Sequence, residues 1–252
     1  MGEISLNLLC CYTKGLFSRT IINYIKELFR GSKLKLTFYH LLEIPSNLLI
    51  PSCDYLKEIK RQEALERFIE HERENLFKEW EQITKELSEV MDLETEFIVE
   101  LIQGEKVETA LHYLRKKNYT AVLMGKRGLG KLASIYAGSF SHKMILYGNQ
   151  PLWIIRNKRF NQKILVAFDL GEQGLKVIEY VLNILSFLKD YKVTFFHWVG
   201  FIGQSSIEGS LEDLLNQKLS PELNDFLIQV RIYFNEKPLL HKNITFKLTN
   251  FF

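Results

Sequence analysis

Short apolar runs and segments with helically spaced apolar residues follow one another along the first 156 residues. The short runs are typical of buried strands, and the spaced pattern is typical of amphipathic helices. Strict alternation of the two indicates a parallel sheet with helices on both faces. The predicted strands are 6–12, 34–41, 95–101, 121–124 and 152–155, and the predicted helices are 18–29, 106–117 and 138–147.

A long charged segment, 54–91, interrupts this alternation. Its apolar residues form an imperfect helical stripe among many Glu, Lys and Arg residues, which predicts one long helix or a broken pair. The charges are typical of a solvated face with pairs three or four residues apart. The more specific alternative is a coiled-coil arm, although the heptad pattern is irregular.

The pattern of the first strands starts again after a polar linker at 157–161. The segment 163–169 matches the first strand, helical spacing recurs over 175–185, and residues 193–197 echo residues 36–40. We interpret this as an internal duplication. Residues 1–156 are predicted to form a complete domain and residues 160–252 a partial second copy, with helices at 211–215 and 223–233 and a third strand at 244–248.

The second copy has no counterpart of the fourth strand, the glycine loop or the fifth strand. Two explanations stay open at this point. Either the sequence is a truncated tandem protein, or a partner supplies the missing cover.

The composition is that of an ordinary globular protein, with 46% hydrophobic residues and a formal net charge of +3. No clustered basic face with interleaved aromatic residues indicates nucleic-acid binding. No run reaches transmembrane length, and no signal-like segment opens the chain, so we expect a cytoplasmic protein without membrane insertion. The three cysteines and six histidines show no metal-ligand spacing, and no catalytic constellation is recognisable.

Three glycines lie in and around the segment between the last two predicted strands of the first domain. Gly125 ends an apolar run, Gly128 lies in the following loop, and Gly138 precedes Ser139 where a helical pattern begins. Glycine lets the backbone approach a ligand closely, and a helix N-terminus attracts anions. A strand, a glycine loop and a helix N-terminus in this order predict an anion cradle at the carboxyl end of the sheet.

The spacing Gly-x2-Gly-x9-Gly-Ser closely resembles the nucleotide signature of the universal stress protein family. It is neither a phosphate-binding Walker loop nor a dinucleotide fingerprint. The resemblance implies an α/β fold of the universal stress or adenine nucleotide alpha hydrolase-like type. Its open parallel sheet would have the strand order 3-2-1-4-5, with a partial second copy following.

The resemblance also implies the parts of a nucleotide site. Loop and helix residues would hold the phosphates and the ribose, Arg127 would contact a phosphate, and Met124 would line the base side. The backbone of Leu41 would contact and recognise the adenine. The implied nucleotide-binding residues are Thr13, Leu41, Met124, Gly125, Arg127, Gly128, Gly138, Ser139, Phe140 and Ser141.

Thr13 departs from the family pattern. ATP-binding members usually have an aspartate at this strand end, and threonine cannot supply its charge. The second copy shows the opposite combination, since Asp169 stands at the equivalent position but no glycine loop follows. We therefore expect one usable site, in the first copy.

The sequence leads to three hypotheses for function. The first is a stress-related regulatory protein that binds ATP, with or without magnesium, or AMP, with at most slow ATP hydrolysis. The alternative is an interaction module without bound nucleotide, acting through dimerisation and partner contacts. A third, an adenylate-transferring enzyme, lacks a visible acid–base constellation. In either of the first two cases we expect a homodimer through the strand 152–155, because an unpaired apolar edge requires cover.

Overall fold

The computed structural model describes residues 6–13, 16–102, 104–125, 140–155, 161–188, 191–199, 206–236 and 243–249. The chain divides into two compact units, Met1–Lys158 and Arg159–Phe252. Each unit has its own sheet, and each is described separately below.

The first unit is an open parallel five-stranded sheet with the strand order β3-β2-β1-β4-β5, as predicted. Every pair of neighbouring strands is parallel. Strands alternate with helices along the chain, which is why the sheet is parallel. The elements are β1 (Leu6–Tyr12), α1 (Leu16–Leu28), β2 (Lys33–Leu42), α2 (Ser46–Leu49), α3 (Tyr55–Ser88), β3 (Asp92–Leu101), α4 (Lys106–Arg115), β4 (Ala121–Gly125), α5 (Phe140–Tyr147) and β5 (Leu152–Ile155).

The charged segment forms one continuous helix, α3, of 34 residues. Asp54 caps it, since its side chain accepts hydrogen bonds from the backbone N–H groups of Leu56 and Lys57. The buried residues lie in the C-terminal half, where the Tyr12 hydroxyl also donates to Glu79 at 2.6 Å. No side chain of residues 55–72 is buried, so only this N-terminal half of α3 could form the coiled-coil arm.

The second unit has four strands in the order β6-β7-β9-β8. The pairs β6–β7 and β7–β9 are parallel, whereas β8 is antiparallel to β9 and was not predicted from the sequence. The short strand β8 escapes recognition because only four residues, with one apolar side chain, form it. The elements are β6 (Lys163–Ala167), α6 (Glu172–Leu185), β7 (Lys192–Trp198), β8 (Ser206–Gly209), α7 (Leu211–Leu215), α8 (Pro221–Asn235) and β9 (Ile244–Thr249).

The two units share a detail at the end of their first strands. In the first unit, His40 Nδ1 lies 3.0 Å from the carbonyl oxygen of Tyr12. In the second, His197 Nδ1 lies 2.8 Å from the carbonyl oxygen of Phe168. Both imidazoles are buried. The matching histidines therefore tie the second strand of each unit to the end of its first strand, which is a structural role.

Candidate functional site

Three of the predicted site residues lie at the carboxyl ends of neighbouring strands in the first unit. Tyr12 is level with His40 in the β1–β2 register, so Thr13 is level with Leu41. On the other side of β1, Cys10 is level with Leu123, which brings the end of β4 at Gly125 to the same edge. The strand order thus places Thr13, Leu41 and Gly125 together.

The glycine-rich segment of the sequence lies between the end of β4 and the start of α5. The predicted site residues Arg127, Gly128, Gly138 and Ser139 lie outside the described residues. The described chain resumes at Phe140, the first residue of α5, and Ser141 lies half-buried in the first turn. The described chain thus leaves β4 beside β1 and resumes in the helix α5.

An apolar cluster lies beneath this edge of the sheet. Met124 is buried there together with Leu9 and Tyr39, and Leu41 and Phe140 pack against the same cluster while keeping part of their surface accessible. Residues from β2, β4 and α5 thus come together, although they are far apart in the sequence. Leu41 and Phe140 therefore provide the accessible apolar surface of this cluster at the edge of the sheet.

Thr13 is fixed by Ser18, a residue that the sequence did not single out. The Thr13 N–H donates to Ser18 Oγ at 2.9 Å, and the Ser18 hydroxyl donates to the Thr13 carbonyl. Ser18 is buried. The turn after β1 is therefore closed by a serine side chain, and a serine in the first turn of a helix was the available signal.

A partly buried chain of polar groups lies on the same face of the sheet as Leu41. The Tyr39 hydroxyl donates to Glu100 at 2.5 Å, and the Tyr39 ring stacks on Tyr113 with centroids 4.6 Å apart. Tyr113 and Tyr119 share a hydrogen bond of 2.9 Å between their hydroxyls. Burial, followed by the hydrogen bond to Glu100, raises the pKa of the Tyr39 hydroxyl, which therefore stays protonated and donates.

Two ion pairs lie at the start of α4, next to this edge. Lys143 of α5 pairs with Glu105, and Lys106 pairs with Glu43, which follows β2. The hydrogen bond to Glu105 raises the pKa of the exposed Lys143 ammonium. Each exposed pair contributes little to stability, because water screens it. They connect the start of α4 to α5 and to the residue that follows β2.

No group of three or more His, Cys, Asp or Glu residues suited to a metal ion occurs in the part of the chain that the structure describes. A search of the helices within those same ranges also finds none that is long and apolar enough to cross a membrane.

The geometry defines an α/β protein whose sheet reverses strand order between β1 and β4. The sequence model of the universal stress protein family matches residues 7–156, which is more than half of the chain. The chain therefore belongs to the universal stress protein family. This membership indicates a stress-related role.

Solved structures of similar fold agree with this assignment. A universal stress protein from Archaeoglobus fulgidus is 14% identical, with a TM-score of 0.60 over 98% of this chain and 79% of that one. The cytoplasmic domain of a prokaryotic cation chloride cotransporter is 10% identical, with a TM-score of 0.51 over 99% of this chain and 80% of that one. At such identities the likeness concerns the fold alone. No curated protein matches the chain.

Proposed function

We propose that this protein is a stress-related regulator that binds an adenine nucleotide in its first unit. The observation that supports this most is the position of the glycine loop. Strands β2 and β3 lie on one side of β1 and strands β4 and β5 on the other, so the strand order reverses between β1 and β4. Open α/β sheets bind ligands at this reversal, outside the carboxyl ends of the strands. The loop with the family's nucleotide spacing begins there, at Gly125.

The orientation of the β2 backbone supports an adenine contact at Leu41. The Ile102 N–H donates to the Leu42 carbonyl at 3.2 Å, so the polar groups of Leu42 point towards β3. Backbone groups alternate along a strand, and those of Leu41 therefore point towards β1. Since β1 ends at Tyr12, the Leu41 carbonyl lies at the rim of the sheet, where the edge of a purine could contact it.

Calorimetric titration of the purified protein tests this proposal. We expect ATP and AMP to bind and GTP to bind at least tenfold more weakly, because the Leu41 carbonyl can accept from the exocyclic amine of adenine but repels the carbonyl of guanine. Titrations with and without magnesium show whether the metal contributes. Gly128→Val should remove binding, because its side chain occupies the space through which the backbone approaches the phosphates.

The melting temperature of ligand-free Gly128→Val is the control. It should equal that of the parent protein, which would show that the variant is folded. Absence of heat with ATP in the parent, at concentrations up to 1 mM, would contradict the proposal. In that case the alternative function, an interaction module without bound nucleotide, takes its place.

A second variant addresses the departure at Thr13. Thr13→Asp restores the carboxylate that ATP-binding members of the family usually have at this position. We expect it to tighten ATP binding about tenfold, which corresponds to one charge-assisted hydrogen bond of about 1.4 kcal/mol. Thr13→Asn is the matched control, because it has the same shape without the charge. Equal affinities of the two variants would show that a carboxylate at this position contributes nothing.

We also propose that the protein forms a homodimer through β5. This strand lies at one edge of the first sheet. The helix next to it in the chain, α5, exposes large apolar side chains at Ile145, Leu146 and Tyr147. An apolar edge next to an apolar helix surface is the combination that subunit interfaces cover.

Light scattering of variants at micromolar concentration tests the dimer. Leu146→Glu should produce monomers, because it places a charge in the apolar interface. Leu49→Glu is the matched control, since Leu49 is similarly exposed but lies on α2. A monomeric parent protein, or equal effects of the two variants, would contradict an interface at β5.

A further inference from the structure

The helices α6, α7 and α8, which are those described in the second unit, pack on one face of its sheet. Val166, Phe195 and Phe246, from three neighbouring strands, point into a single core. Alternate residues of the same strands therefore point to the opposite face. Helix residues of that core come from α6, α7 and α8 alike: Ile178, Leu182, Leu185, Leu211, Leu214, Leu223, Phe226, Leu227, Val230 and Phe234.

The opposite face, which we call the open face, has four apolar residues on β6 and β7: Leu165, Ala167, Phe196 and Trp198. The polar positions of the same face are Lys163, Lys192, Thr194, Thr245, Lys247 and Thr249. Leu165 is 70% exposed and Trp198 is 54% exposed, although both are large apolar residues on strands. Ala167 is also exposed, and Phe196 is half-buried. The apolar part of the open face is therefore a patch on the neighbouring strands β6 and β7, and the part formed by β9 is polar.

The first unit shows what covers the equivalent surface. The contact between His197 and Phe168 is equivalent to the contact between His40 and Tyr12. When Phe168 is aligned with Tyr12 on this basis, Leu165 is aligned with Leu9. Leu9 is 0% exposed, because it lies in a cluster with residues of α4 and β4. Equivalent leucines on equivalent strands are thus buried in one unit and exposed in the other.

The edge of the second sheet is open at the same place. In the first unit, β4 pairs in parallel with β1, with Leu9 level with Val122. Among the described strands, β6 pairs with β7 and lies at the edge of its sheet. An edge strand presents unpaired backbone N–H and C=O groups to a further strand. The edge and the open face together match the place that β4 and α4 occupy in the first unit.

The size of the open face argues against a flat contact between two copies. Four strands about 4.8 Å apart and five residues long give a face of about 19 by 17 Å, or about 320 Å² in projection. Even doubled for side-chain relief, this stays below the ~800 Å² that each partner contributes to a standard interface. A strand beside β6 adds backbone hydrogen bonds that a flat contact lacks, and a helix fills the face.

We infer that the open face and the edge of β6 form an acceptor surface for a helix–strand segment of a partner polypeptide. The helix of this segment has an apolar stripe, as α4 has at Val107, Ala110, Leu111 and Leu114. The strand that follows is apolar and pairs in parallel with β6. This inference is independent of nucleotide binding, because it concerns the second unit alone.

Binding of a synthetic peptide to the 252-residue protein tests the inference. The probe is a fluorescently labelled peptide with the sequence of residues 104–125, which contains α4 and β4. We expect saturable binding by fluorescence anisotropy, and slower hydrogen exchange of the β6 amides in its presence. Leu165→Lys should weaken binding at least about tenfold, because it places a charge under the helix.

Ile232→Lys is the matched control. Ile232 is 60% exposed, like Leu165, but it lies on α8, on the other side of the sheet. It should change binding less than twofold. Unaltered melting temperatures of both variants show that they are folded, as expected for exposed positions.

Three results would overturn the inference. The first is no binding of the peptide at 1 mM. The second is protection of β1 instead of β6, which would mean that the peptide replaces its own counterpart in the first unit. The third is self-association of the parent protein that Leu165→Lys abolishes, which would identify a second copy as the occupant of the open face.

Discussion

Replacing Leu9 and Leu165 separately by alanine compares equivalent positions in two environments. Leu9 on β1 is fully buried, whereas Leu165 on β6 is 70% exposed. Both side chains lie in the middle of the first strand of their unit and on the same relative face. The comparison therefore measures the effect of the covering elements while sequence context and strand position stay similar.

The expected magnitudes follow from burial. Leucine to alanine removes three carbon atoms, and burial of each contributes about 0.8 kcal/mol, or about 2.4 kcal/mol together. A residual cavity raises the cost at Leu9 to about 3 to 4 kcal/mol. Only about 30% of Leu165 is buried, so the same arithmetic gives about 0.7 kcal/mol there.

Hydrogen exchange followed by mass spectrometry is the suitable assay, because it reports on each unit separately. Unfolding of the whole chain is not necessarily a single transition when two units are present. We expect Leu9→Ala to accelerate exchange of the slowest amides of β1 and β4 by more than a hundredfold. Leu165→Ala should accelerate exchange in β6 and β7 by about threefold. Equal effects at the two positions would refute the argument that the second sheet has an open face.

Three further predictions concern single groups. Because the pKa of Tyr39 is raised above its unfolded value of about 10, stability should fall as the pH rises above 10, and Tyr39→Phe, which cannot bond Glu100, should flatten that decline in urea titrations. Gly174→Ala should destabilise the second unit by about 3 kcal/mol in hydrogen exchange, because its Cβ would lie 1.8 Å from a carbonyl oxygen of the preceding loop. A thiol reagent should modify the exposed Cys53 rapidly but the buried Cys10 only on unfolding, and fast reaction of both would contradict the burial of β1.

The parts of the fold that could be predicted from the sequence are those whose signal is local. The strands β1 and β5 have the predicted bounds, because an apolar run between polar residues defines each of them. The strand order followed from the resemblance to the family rather than from periodicity. The helix α2 was missed, because four residues between two prolines do not show a helical period.

The parts of the site that were missed depend on contacts between distant residues. Glu100 lies opposite Leu41 in the β2–β3 register and accepts from Tyr39, but nothing within β3 distinguishes it from the other glutamates of that strand. The sequence pattern of β6 and β7 likewise does not show that the described helices cover only one face of the second sheet. An apolar residue on a strand predicts burial, but Leu165 is exposed, because the described helices of the second unit pack on the opposite face of its sheet.

The nucleotide content of freshly purified protein tests the central proposal most directly. The protein is denatured, and the released small molecules are identified by mass spectrometry, with Gly128→Val prepared in parallel. Our account predicts an adenine nucleotide in the parent protein and none in the variant. A parent protein without nucleotide, whose melting temperature also stays unchanged when ATP and magnesium are added, would contradict the account.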